Sequence, residues 1–137
     1  MQNHFSCTLK AEIGNLPAVL DALSDFMASN GWTPEAISDS ALATDEAITN
    51  IILHGYKEPE GEIRLLFEAS GNEVAITIED DAPPFNPIQF VPAEIHGDIP
   101  DRPVGGLGIL LIRNVMDAVS YEFRDGRNIF TMKKRKT

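Results

Sequence analysis

The chain has 137 residues, 43% of them hydrophobic and 23% charged, which is enough apolar mass for the core of a small domain. Five basic and 20 acidic residues precede Arg124, a net −15, while the last 14 residues carry +5. An acidic body of this kind excludes a general nucleic-acid binder, which needs a broad basic face to neutralise phosphates.

Met1 to Lys10 shows no cationic segment followed by an apolar one, so no secretory signal is read there. Phe5, Cys7, Leu9 and Ala11 alternate with polar residues and predict a first strand. Cys7 is the single cysteine and closes no internal disulfide. It reads as a small buried hydrophobe, which fits a reducing cytoplasm. Asn15 stands as a helix N-cap with Pro17 in the first turn. Leu16, Val19, Leu20, Leu23, Phe26 and Met27 follow at helical spacing until Asn30-Gly31. Thr33-Pro34 opens a second helix in the same way, running to about His54, where Gly55 stops it. Glu62 to Glu68 and Glu73 to Glu79 predict two strands around a Ser70-Gly71-Asn72 turn. Ile63, Leu65 and Phe67 form one apolar face, and Val74, Ile76 and Ile78 another.

Asp80 to Gly106 breaks the pattern, with most of the prolines and few periodic apolar residues. A loop of that length in a small domain is a lid, a binding loop or disordered. A helix from about Leu107 to Ala118 follows. Val119 to Arg124 and Arg127 to Lys133 then make two strands joined by Asp125-Gly126, a two-residue hairpin turn. The longest uninterrupted apolar run, Ile109 to Ile112, is far below the ~18 residues that suggest a membrane span. Lys133 to Lys136 reads as a solvated basic tail, with contact to an anionic surface as the alternative. No repeat or domain-sized linker is visible, and His4, His54 and His96 have no zinc-site spacing. One domain over 1–137 is expected. The order β-α-α-β-β-loop-α-β-β predicts an α+β fold, a two-layer sandwich with helices on one face of a mostly antiparallel sheet.

Three segments could carry chemistry. Glu46, Asn50 and His54 are spaced i, i+4, i+8 on the second helix and share one face. A carboxylate and an amide projecting beside Leu42, Ile48, Ile51 and Ile52 fit either a functional pair or a solvent-facing polar stripe. Asp80-Asp81-Ala82-Pro83-Pro84-Phe85 ends an apolar strand. A carboxylate there can accept a hydrogen bond from the exocyclic amine of a base, or simply start a turn. Gly105-Gly106-Leu107-Gly108 opens the third helix. It offers close backbone approach and unpaired N–H groups to an anion, or a hinge. Neither a P-loop nor a dinucleotide-binding fingerprint is present.

The order of these segments resembles the GHKL (histidine-kinase-like) superfamily of ATP-binding domains, and within it the small single-domain anti-sigma-factor serine kinases. The likeness is carried by Asp45 to Tyr56, by Ile78 to Pro87, and by Gly105 to Ile112 continuing to Met116-Asp117. The closing hairpin from Tyr121 to Thr131 also fits. The resemblance implies Glu46 as the group that activates the attacking hydroxyl, and Asn50 as a ligand of Mg²⁺ on the triphosphate. It places His54 beside the phosphates or in a structural role. It implies Asp80 as acceptor of the adenine amino group, with Ala82 and Phe85 in the same nucleotide-binding motif. Gly105, Gly106, Leu107 and Gly108 would wrap the phosphates, residues 85–104 would form a lid, and Asn128 would approach the adenine. Ala82 and Pro84 stand where glycines are common, a departure that bears on nucleotide affinity and lid mobility.

The implied function is an ATP- and Mg²⁺-dependent serine/threonine kinase in the cytoplasm. It would act as an anti-sigma factor and phosphorylate a small anti-anti-sigma antagonist. The alternative is a non-catalytic binding module that holds a sigma factor with ATP as a structural ligand. A small-molecule-binding α+β domain stands outside the family. Homodimers are frequent in the resembled group. A two-component histidine kinase is disfavoured, because 137 residues leave no room for a dimerisation helix pair. With no P-loop lysine, the phosphates of an acidic protein's ligand must rely on Mg²⁺ and backbone N–H groups, so steep Mg²⁺ dependence is expected.

Overall fold

The computed structural model describes residues 3–56, 61–89 and 106–136. Five strands and three α-helices lie along the described residues in this order: β1 His4–Lys10, α1 Leu16–Ser29, α2 Pro34–Asn50, β2 Glu62–Ser70, β3 Glu73–Asp80, α3 Gly106–Val115, β4 Ala118–Arg124 and β5 Arg127–Arg135. The strands form one antiparallel sheet in the order β1-β2-β3-β5-β4. The helices cover one face of it, which is the expected α+β sandwich.

Period-two patterning sets which face is covered. Ile63, Leu65 and Phe67 of β2, and Val74, Ile76 and Ile78 of β3, are all at most 2% exposed. They pack against Val19, Leu23 and Met27 of α1, Ala43, Ala47 and Ile48 of α2, and Ile109 and Ile112 of α3. Phe67 stacks on Phe5 at 5.4 Å and meets Phe26 at 5.9 Å, tying β1 and α1 to the sheet centre. Burying such side chains contributes about 1.5–3 kcal/mol each. The opposite face is mixed, with Arg64, Glu79 and Ile129 in one register row and Leu66, Thr77 and Thr131 in the next. Cys7 faces the core from the edge strand and is half-buried rather than fully enclosed, and burial pushes its thiol pKa up.

The turns follow their residue chemistry. Asp125 and Gly126 both take positive φ, 54° and 78°, as a two-residue primed hairpin turn demands. Thr33 caps α2, its side chain accepting from the Ala36 N–H at 3.2 Å. Asn15 does not cap α1. A 3₁₀ turn over Ile13–Asn15 precedes the helix, and the Asn15 amide instead donates to the Lys10 carbonyl at 2.9 Å.

Three other expectations are corrected. α2 ends at Asn50, and Ile51–Gly55 is a π-helical turn closed by Tyr56 N–H to Ile51 O at 3.2 Å. The cause is tertiary. The Tyr56 hydroxyl donates to Glu62 O at 2.6 Å and accepts from Asp81 N at 2.7 Å, which anchors the chain to the ends of β2 and β3. α3 stops at Val115 rather than Ala118, because Ala118 already pairs with Lys133 in the sheet. Lys133 to Arg135 is not a solvated tail but the end of β5, paired with β3. Lys134 is largely buried, donating to Val115 O at 2.5 Å and to Asp39 at 3.1 Å. The Lys136 ammonium lies over the Trp32 ring at 5.1 Å. The +5 end is thus absorbed by α2, the end of α3 and the sheet. Among the described residues, no helix is long and apolar enough to cross a membrane.

Candidate active site

A cavity of about 290 Å³ opens between the C-terminal half of α2, the end of β3 and the inner side of α3. Its walls are mostly apolar, with Ala47, Ile51, Ile109, Ile112 and Phe130 among them. A few polar groups converge on it: Asn50, His54, Asp80, Tyr121 and Asn128. A mainly apolar cleft with sparse, placed polar groups is the usual form of a small-molecule site.

Asp80 is the last residue of β3 and only 5% exposed. Its Oδ1 accepts from Asn128 Nδ2 at 2.9 Å and from the Ala82 N–H at 2.9 Å. Among the described residues no hydrogen bond reaches Oδ2. Burial pushes the Asp80 pKa above the ordinary carboxylate value, and the two hydrogen bonds oppose that shift. Asp81, next along, points to the other face of the sheet and pairs with Arg64 at 2.9 Å and Arg127 at 3.8 Å. The end of β3 is therefore held from both sides.

Ala82 is buried and sits over Gly55, where an added Cβ would meet the Ala82 Cβ at 3.5 Å. Among the described residues the one non-glycine with positive φ is Asp125. Ala82 therefore occupies its motif position without backbone strain. Phe85 is 44% exposed, lines the cavity, and donates its N–H to Asn128 Oδ1 at 3.1 Å.

At the other end, Glu46 and Asn50 project from the last turns of α2 toward the first turn of α3. Gly108 marks the meeting point. A Cβ there would lie 2.9 Å from Glu46 Oε1 and 3.5 Å from Asn50 Nδ2. The glycine leaves room for both side chains. Neither makes a hydrogen bond or ion pair among the described residues. His54 is exposed, and the π-turn rather than continuous α-helix sets its place on the cavity rim. Gly106 and Leu107 form the first two residues of α3. Gly105 and most of the expected lid lie outside the described residues. A short 3₁₀ turn, Pro87–Gln89, is the described part of that loop that packs against β4 and α3.

The structure thus brings Asn50, His54, Asp80, Ala82, Phe85 and Asn128 around one cleft, with Glu46 beside Asn50 where α2 meets Gly108. Sequence reasoning missed Tyr121 and Tyr56. Tyr121 lines the cavity from β4 and hydrogen-bonds Asn128. Its inward alternation opposite Phe130 was the available signal.

No cluster of three or more His, Cys, Asp or Glu among the described residues could hold a metal ion. A Mg²⁺ would fit here only as an ion that brings most of its oxygens with a nucleotide, and the Asn50 amide oxygen is a hard donor that could add to them.

The sequence profile of the histidine kinase-like ATPase domain matches residues 9–134. The chain belongs to that family. Among its relatives is the serine-protein kinase RsbW of Listeria innocua, 30% identical over 117 residues that span 82% of this chain and 74% of the relative. The serine-protein kinase RsbW of Bacillus thuringiensis is 31% identical over 107 residues, 75% of this chain and 67% of the relative. In three dimensions the chain is similar to the crystal structure of the RsbU and RsbW domains of a Mycobacterium tuberculosis protein. The TM-score is 0.71 at 19% identity, covering 98% of this chain and 32% of that one. It is also similar to the catalytic domain of the histidine kinase ThkA, with a TM-score of 0.57 at 11% identity and 99% of each chain covered. These two likenesses establish the fold.

Proposed function

We propose that the protein is an ATP- and Mg²⁺-dependent serine/threonine protein kinase that acts as an anti-sigma factor and phosphorylates a small anti-anti-sigma antagonist. The observation that carries this reading is the convergence at Gly108. A carboxylate and an amide, neither bonded among the described residues, meet beside a helix start; the amide lines one end of an apolar cleft, and a buried carboxylate lies at the other. That separation suits a ligand with a flat, amine-bearing base and a polyanionic tail.

Each residue then has a physical task. Asp80 Oδ2 accepts the adenine amino group, and guanine would set its carbonyl oxygen against that acceptor. The Ile51, Ile109 and Phe130 side chains exclude water around the base. The N–H groups at the start of α3 meet phosphate oxygens. Asn50 would hold Mg²⁺, which when bound neutralises charge on the triphosphate. The Glu46 carboxylate accepts the proton of the attacking hydroxyl. The serine oxygen forms its bond to the γ-phosphorus as the bond to the β-phosphate oxygen breaks, leaving ADP and phosphoserine. His54 stands at the rim, beside the phosphates. The similarity to relatives named serine-protein kinases supports the choice of acceptor, and the acidic body suits a basic patch on a sigma-factor partner.

The test is transfer of radiolabelled γ-phosphate to a candidate antagonist protein from the same genome, with Mg²⁺ present. Label that appears with the wild type and vanishes in Glu46→Gln supports the kinase. Tight ATP binding with no protein ever labelled replaces it with the non-catalytic binding module. No ATP binding with Mg²⁺ present removes both.

A further inference from the structure

Asn128 has no hydrogen-bonding capacity left for a ligand. It faces Asp80 across the β3–β5 register and is 6% exposed. Its Nδ2 donates to Asp80 Oδ1 at 2.9 Å, Ala82 O at 3.0 Å and Pro83 O at 3.3 Å. Its Oδ1 accepts the Phe85 N–H at 3.1 Å and the Tyr121 hydroxyl. A backbone N–H only donates, so the Phe85 bond decides which way the amide points. Two N–H groups already serve three acceptors, and two lone pairs already serve two donors.

A saturated amide can hold its neighbours but cannot read a base. What it holds is specific: one oxygen of Asp80, and the backbone of the 82–85 turn that walls the same cavity. Tyr121 completes the brace from β4.

We propose that Asn128, braced by Tyr121, is the positioning residue for base selection. Together with the Ala82 N–H it fixes the rotation of the Asp80 carboxylate, so that Oδ1 is engaged and Oδ2 faces the cavity. The proposal rests on the ATP-binding reading above. The carboxylate torsion of an Asp is broad, with no sharp staggered well to hold it. Without the amide, Asp80 Oδ1 keeps only the Ala82 N–H, and the carboxylate is no longer held from two sides.

The experiment compares ATP with purine riboside triphosphate, which is identical except for the missing amino group. Calorimetry is run on the full chain with Mg²⁺. The wild type is expected to prefer ATP by about tenfold, the scale of one hydrogen bond to a charged group. Asn128→Ala brings that preference close to one and leaves affinity for the analogue within about threefold. Tyr121→Phe keeps the Asn128 donors on Asp80, and lowers the preference by about two- to threefold. A residue that merely supports the fold lowers both affinities by the same factor. An unchanged ratio in Asn128→Ala therefore overturns the proposal. If Asn128→Ala does not fold, Tyr121→Phe decides, and an unchanged ratio there overturns it too. A wild type that binds neither nucleotide overturns both this inference and the ATP-binding reading. A variant that still prefers ATP overturns only this one.

Discussion

At the β3 end of the cavity the polar groups hold one another: Asp80 Oδ1 takes two donors, and Asn128 binds Asp80, Ala82, Pro83, Phe85 and Tyr121. At the α2 end, Glu46 and Asn50 make no such bonds among the described residues, and a glycine stands where any side chain would press on them. The first arrangement is rigid and the second open. Burial explains part of the difference. A 5% exposed carboxylate without donors would cost several kcal/mol. Glu46 and Asn50 are only partly buried, so water can reach them and the fold does not require a protein partner for either. The division also matches the proposed tasks, since a base is recognised by fixed geometry while a general base must exchange partners during reaction.

The largest expected effect tests the open end. Glu46→Gln keeps size and removes the basic oxygen, so phosphoryl transfer should fall by about 10²-fold or more while ATP affinity stays within a few-fold. A matching fall in affinity, read by calorimetry, would move Glu46 from chemistry to binding.

Asp80→Asn tests the rigid end in two ways. It sets a donor against the adenine amine, and ATP affinity should drop by about tenfold or more. Stability should move the other way. The folded pKa of Asp80 is raised by burial, so between the unfolded and folded values the native state binds the extra proton. Stability therefore falls as pH rises through the folded pKa and is fully recovered below the unfolded value. Asp80→Asn removes that dependence. Thermal melts of the ligand-free protein at neutral pH should show the variant melting no lower than the wild type, with the gap closing toward acid. A variant that melts well below the wild type at neutral pH would mean that the charged network stabilises the fold after all.

Gly108→Ala probes the join between the two regions. The new Cβ would sit 2.9 Å from Glu46 Oε1, the far end of a flexible side chain that can swing aside cheaply. The fold should survive with a melting temperature within a few degrees, while transfer drops by about tenfold because the base is displaced. Equal activity to wild type would show that the Glu46 carboxylate works from another position. The smallest effect on function lies outside both ends. Lys134→Met breaks the contacts to Asp39 and Val115 O, and should cost about 1 kcal/mol in denaturant unfolding with nucleotide affinity unchanged.

Much of this was legible along the chain. The alternation in β2 and β3 named the buried face correctly, because one side of the sheet is covered and register cannot slip without exposing it. Asp125-Gly126 and Thr33-Pro34 marked their turn and cap because those conformations are chosen by one or two residues. Asn15 misled, since a cap needs a particular side-chain geometry and Lys10 O offered the amide a competing partner. The basic end misled for a related reason. Four consecutive charges look solvated until a neighbouring strand, a helix end and an indole ring lie within reach.

Local pattern therefore determined the order of elements, the inner face of the sheet and the three segments that carry the polar groups. Tertiary structure decided the rest, because each remaining feature joins residues far apart in sequence. Tyr56 bonds to the ends of β2 and β3 and turns the end of α2 into a π-turn. Gly108 leaves room for Glu46 and Asn50. Asn128 reaches across the sheet to close on Asp80 and the 82–85 turn, a link between the third and fifth strands that appears only once antiparallel pairing sets the two residues opposite each other.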